Sequence, residues 1–110
     1  MTTAPIQMYR QGDVLLHAAI IPPTAILQPR GTGPLVLQHG KATGHSHQIE
    51  SLGASMYVDG DRRFVRALPT HPDVALTHDE HRAIAIPPGD YEITIHAEHV
   101  PGEVPRDVED

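Results

Sequence analysis

The sequence predicts a small all-β protein: a single-domain barrel, roll or sandwich of about eight short strands. Three observations carry this. Eleven prolines and nine glycines break the chain at short intervals. The segments between them are short and rich in Val, Ile, Leu and Thr. No window sustains the 3.6-residue period of an amphipathic helix.

The strands are expected in this order. Arg10-Gln11-Gly12-Asp13 reads as a turn feeding a strand over Asp13–Ile20. After Pro22-Pro23 and the Gly31–Gly33 stretch comes Pro34–His39, and after Gly40 and Gly44 comes His45–Glu50. Gly53 and Gly60 bound Ser55–Val58, which is followed by Phe64–Leu68. Pro69 and Pro72 precede Asp73–Thr77, and Arg82–Ile86 ends at the tight turn Pro87-Pro88-Gly89-Asp90. The last strand, Tyr91–Glu98, alternates most clearly. Tyr91, Ile93, Ile95 and Ala97 share one face, while Glu92, Thr94, His96 and Glu98 share the other. One domain over residues 1–100 and a polar, acidic tail over 101–110 follow from this pattern.

Composition excludes several kinds of chemistry. No cysteine is present among the 110 residues, so disulfides, thiolate metal sites and a cysteine nucleophile are ruled out. Eight basic against fourteen acidic residues give a net charge of −6, with Lys41 the single lysine. Nucleic acid is therefore not an expected partner, because phosphate binding needs clustered cations. The closest approach to a basic cluster, Arg62, Arg63 and Arg66, is flanked by Asp59 and Asp61. No apolar stretch approaches the roughly 20 residues that span a bilayer. The N-terminus lacks a basic start, an apolar run and a cleavage site, so no signal peptide and a cytoplasmic location are expected. With one Phe, three Tyr and no Trp, the core must be built from aliphatic residues. Such a thin core makes a homo-oligomer the expectation.

Nine histidines are the outlier, where about two or three would be usual in a domain of this size. In Gly44-His45-Ser46-His47-Gln48-Ile49-Glu50, residues two apart in a strand share a face, so His45 and His47 project with the core residue Ile49. In Thr77-His78-Asp79-Glu80-His81, two imidazoles and two carboxylates fall within four residues. Two separated segments, each with paired imidazoles, predict a cage for a divalent metal: Zn²⁺ first, with Fe²⁺ or Mn²⁺ as alternatives. Catalytic zinc commonly takes three protein ligands, so His45, His47 and His81 are the expected set, with His78 the substitute third ligand. All four together would favour a structural site. Glu80 is the candidate general base or hydrogen-bond partner of a ligand, and Thr77 the candidate hydrogen-bond partner of activated water. Asp79 is expected to be exposed, and Glu50 has the wrong strand parity for the metal. His39 could join the site, whereas His17, His71, His96 and His99 read as surface or part-buried residues. Gly40-Lys41-Ala42-Thr43-Gly44 does not fit a phosphate loop, since Leu35 and Ala42 stand where Gly and Ser or Thr are needed.

The His-x-His strand, the later strands and the Pro-x-Gly turn before a final strand resemble the cupins over roughly His45 to Ile95. That resemblance implies a β-barrel holding a metal with three His and often one Glu. Glu50 follows His47 more closely than in that pattern, and Tyr91 and Ile93 stand where a late histidine is expected. The set Arg10-Gln11-Gly12-Asp13, Thr43-Gly44-His45-Ser46-His47, Leu76-Thr77-His78-Asp79-Glu80-His81 and Pro88-Gly89-Asp90-Tyr91 resembles a family of short bacterial and phage proteins, with no activity implied.

Three functions are consistent with these readings. The first is a metal-dependent enzyme activating water for hydration or hydrolysis of a small molecule, CO₂ hydration being the most economical version. The second is a cupin-type iron or manganese oxygenase or isomerase. The third is a non-enzymatic structural or sensing metal site in an oligomer.

Overall fold

A computed structural model describes residues 8–40 and 45–96 of the chain. Among them are ten short strands and no helix: β1 (Met8–Gln11), β2 (Val14–Ala18), β3 (Ile26–Leu27), β4 (Leu35–Gln38), β5 (His47–Ile49), β6 (Ala54–Asp59), β7 (Arg62–Ala67), β8 (Ala75–Thr77), β9 (Ile84–Ala85) and β10 (Gly89–Ile95). The eight expected strands are all present within a few residues of their anticipated bounds. The two additions, β1 and β3, correct the count. They were missed because Met8–Gln11 is mostly polar and Ile26–Leu27 is only one pleat long. The acidic tail lies outside the described residues.

The strands form two antiparallel sheets, one in the order β1-β2-β10-β7-β6-β3 and the other β4-β5-β8-β9. Sequential hairpins β1–β2, β4–β5, β6–β7 and β8–β9 account for four of the pairings. The first closes through Gly12-Asp13, with Gln11 opposite Val14. Gly12 has φ +56°, and no other residue type takes a positive φ in the described chain. A positive φ at the first of two loop residues matches the hairpin turn whose twist suits the flanking strands.

The inner faces of both sheets build one core. Val14 and Leu16 of β2, Val65 and Ala67 of β7, and Tyr91 and Ile93 of β10 meet Leu35 and Leu37 of β4, Ile49 of β5 and Leu76 of β8. Each fully buried aliphatic side chain contributes about 1.5–3 kcal/mol relative to exposure, which is how a core poor in aromatics holds. Tyr91 supplies the largest ring of that cluster. It packs edge-on to Tyr9 at 5.9 Å and donates its hydroxyl hydrogen to Pro87 O at 2.7 Å. On the alternating β10, Tyr91 and Ile93 are buried as expected, while Ile95 is exposed.

Arginines tie the two sheets together. The Arg30 guanidinium donates to the carbonyls of Ala54, at the start of β6, and of Ile49, at the end of β5, and also to Gly33 and Glu50. Arg63 of β7 donates to Leu37 O of β4 at 2.7 Å. The cluster of Arg62, Arg63 and Arg66 is thus engaged within the fold, since Arg62 pairs with Glu92 and Arg66 with Asp90. No helix among the described residues is long and apolar enough to cross a membrane.

Candidate metal centre

Strand pairing brings the histidines together. β5 and β8 are antiparallel, with Gln48 opposite Thr77 and Ile49 opposite Leu76. Continuing that register by one residue sets His47 across from His78, on the buried face. Their ring centroids are 4.3 Å apart. Asp79 and Glu80 then turn the chain, and His81 returns to the same place, 4.6 Å from His78 and 5.7 Å from His47. One ring nitrogen from each of His47, His78 and His81 lies within 4.8 Å of the other two. His47 is fully buried and His78 nearly so, while His81 is exposed at the rim. Ligand nitrogens on one zinc sit roughly 3.4 Å apart, and the exposed His81 ring has the freedom to close that distance.

His45 falls into a different group. A nitrogen of His45, a nitrogen of His78 and a carboxylate oxygen of Asp79 also lie mutually within 4.8 Å. His45 Nδ1 is 3.1 Å from Asp79 Oδ1 and 3.4 Å from Glu80 Oε1. Of the expected trio, the structure thus brings His47 and His81 together with the substitute His78, and sets His45 beside His78 and Asp79. The reason is local. β5 begins only at His47, so the strand parity that would carry His45 to the same face does not reach it. In β8 the parity does extend, and Val74, Leu76 and His78 are all buried.

Three residues of the first hairpin complete the site, and sequence reasoning assigned them only to a turn. Gln11, at the end of β1, is buried, and its side-chain amide donates to Leu76 O and Arg82 O, each at 2.9 Å. Carbonyls only accept, so the amide nitrogen must face them and Oε1 must face His47 Nδ1, 2.9 Å away. His47 therefore carries its proton on Nδ1 and its lone pair on Nε2, the tautomer that an outer partner gives to metal-ligating histidines. Gly12 lies directly against the rings. A Cβ placed there would sit 2.9 Å from His81 Nε2 and 3.3 Å from His47 Nε2. The hairpin thus leaves a cradle between these two nitrogens that any other residue would fill. Asp13 is buried next to the turn. The signal in the sequence was a Gln and an Asp flanking a turn glycine, but nothing local shows that their side chains turn inward.

Burial pushes the His47 imidazole down from 6.5 to about 4; His78 and His81 push the same way and Asp13 opposes them. His47 is accordingly neutral at physiological pH, the form that binds metals. The Glu80 backbone N–H donates to His78 Nδ1 at 3.0 Å and so orients that ring.

The remaining expected site residues lie as follows. The Thr77 hydroxyl donates to Gln48 O at 3.1 Å, bracing β8 against β5. It lines an open groove of about 250 Å³ with Ser46, Gln48, Glu50, His78 and Asp79, on the other side of the strands from Leu76 and Ile49. Glu80 is exposed at the rim beside His45. Asp79 is half-exposed and faces His45. His39 and His96 are exposed, and His17 is part-buried. His71 packs against Gly53, away from the cluster. His99 and the Lys41–Gly44 connection lie outside the described residues.

Residues 10–96 match the profile of a family described as "Domain of unknown function (DUF8820)". The chain belongs to this family. The DUF8820 match opens at Arg10, in the first hairpin, and spans every residue of the histidine site. No curated protein and no solved structure matches the chain.

Proposed function

We propose that this DUF8820 protein is a metal-dependent hydratase or hydrolase of a small molecule, with CO₂ hydration as its simplest reaction. The observation that carries this is the convergence of His47, His78 and His81 at the foot of the Gly12 cradle, with His47 held in its ligating tautomer by Gln11. A donor set of three imidazoles, with one side at the protein rim, suits Zn²⁺ with a position left over for substrate or water. When bound, such a cation supplies Lewis acidity and acidifies water near neutral pH.

The chain's own residues have distinct parts in this reading. Gln11 orients His47. The Glu80 amide donates to His78 Nδ1, which leaves the proton on Nε2, so this bond has to open for His78 to ligate. The Glu80 carboxylate, exposed on the same turn, accepts the proton and passes it to solvent. The protein is further proposed to work in the cytoplasm as a homo-oligomer, as its lack of cysteine and thin core suggest.

The test has two parts. Elemental analysis of protein purified without a nickel column should find about one tightly held divalent ion per chain, zinc before iron or manganese. Stopped-flow CO₂ hydration with a pH indicator should show activity that a chelator abolishes and zinc restores. A metal-loaded protein inert toward CO₂ and toward small esters and lactones would leave the cupin-type oxygenase reading or the structural one.

A further inference from the structure

We propose that Asp13 is the charge-setting residue of the histidine site: the field of its carboxylate tightens the hold on a divalent ion and keeps the water on that ion less acidic. The inference rests on the reading of His47, His78 and His81 as a metal site and on no particular reaction. Asp13 is the second loop residue of the β1–β2 hairpin, between Gly12 and Val14. Loop residues ordinarily face water, yet Asp13 is only 5% exposed. The main chain fixes it there. Asp13 O accepts the His96 N–H at 2.7 Å, and Val14 beside it is fully buried in the core.

Taking a carboxylate out of water is unfavourable, and nearby positive charge offsets it. The preceding residue, Gly12, stands against His81 Nε2 and His47 Nε2, the two nitrogens of the cradle. The Asp13 charge reaches the His47 ring, where it favours positive charge. Arg10, the cation of this hairpin, is exposed and donates its Nε hydrogen to Gly12 O. His78 and His81 complete the cluster, and Asp79 and Glu80 stand at its exposed rim. Three imidazoles are neutral ligands, so a divalent ion held by them alone keeps both charges in a partly buried place. The Asp13 carboxylate offsets one of them. Being buried, it is screened far less than Asp79 and Glu80. Its field favours the cation and disfavours the hydroxide that forms when bound water loses a proton.

The experiment compares the wild-type full chain with Asp13→Asn, which keeps the shape and removes the charge. Asp13→Ser takes its place if the Asn variant loses its β signal by circular dichroism. Affinity is read by Zn²⁺ competition with a chromophoric chelator. The acidity of bound water is read from the pH dependence of the visible spectrum of the Co²⁺-loaded protein. The variant should still take up one equivalent, with affinity about 10–100-fold lower, and its spectral midpoint should fall by roughly one pH unit. Unchanged affinity in a folded variant would overturn the role of Asp13 and leave the proposed function standing. Weaker binding with an unmoved midpoint, or failure of both variants to fold, would make Asp13 a structural residue and overturn the role as well. A wild-type chain that takes up neither metal would sink this inference and the proposed function together.

Discussion

At the scale of single residues, His47 and Gly12 illustrate how narrow the tolerances are. The buried His47 is pushed down from 6.5 to about 4, so between those values the unfolded chain binds a proton that the folded metal-free protein refuses. Stability from this group is complete above pH 6.5 and is lost as pH falls through 4, a change on the order of 3 kcal/mol. Urea unfolding in the presence of chelator at pH 7 and at pH 4.5 should show most of that loss, and His47→Gln should remove this component. Gly12 combines φ +56° with two imidazole nitrogens at the place where a methyl would stand. Gly12→Ala should cost about 1–3 kcal/mol from backbone strain. It should also weaken metal binding roughly 10-fold or more, measured by competition with a chromophoric chelator. Unchanged affinity in a folded Gly12→Ala protein would mean that the ion does not sit in the cradle.

At the scale of elements, the pairing of β5 with β8 sets the centre, because it places His47 opposite His78 and leads the chain on to His81. Thr77 reinforces that pairing through its bond to Gln48 O. Thr77→Val keeps the shape and the β-propensity but removes the donor. It should lower stability by about 1 kcal/mol and leave metal stoichiometry unchanged, whereas a role for Thr77 on activated water would show as a fall in turnover with stability unaltered. Denaturant titration together with the CO₂ assay separates these outcomes. β1 contributes through its last residue alone. Gln11 bonds to Leu76 O and Arg82 O, across 65 and 71 residues of sequence, so one short polar strand fixes both the His47 tautomer and the turn that carries His81.

At the scale of the whole molecule, the two sheets share a core of aliphatic residues and are stapled at the edge by Arg30. Its guanidinium reaches carbonyls of both sheets, those of Ala54 and Ile49. Arg30→Lys should cost roughly 1–2 kcal/mol by thermal or urea unfolding, because one ammonium cannot span carbonyls that a planar fork bridges, and part-buried acceptors lose their donors. Metal affinity should fall much less than stability, since Arg30 lies away from the histidines, among Pro29, Leu52 and Ser55.

The all-β class, eight of the ten strands, and the two histidine segments were legible from local pattern: breaker spacing, alternation, and an excess of imidazoles that composition alone exposes. These properties depend on neighbours within a few residues, where strand periodicity and turn chemistry act. Which nitrogens share a point was not legible, because it depends on the register between β5 and β8, whose facing residues Gln48 and Thr77 are 29 apart in sequence. The same holds for the inward turn of Gln11 and the cradle at Gly12. Both arise only when the β1–β2 hairpin of one sheet is laid against the β5–β8 pair of the other, and burial in the folded core, rather than any local preference, decides that contact.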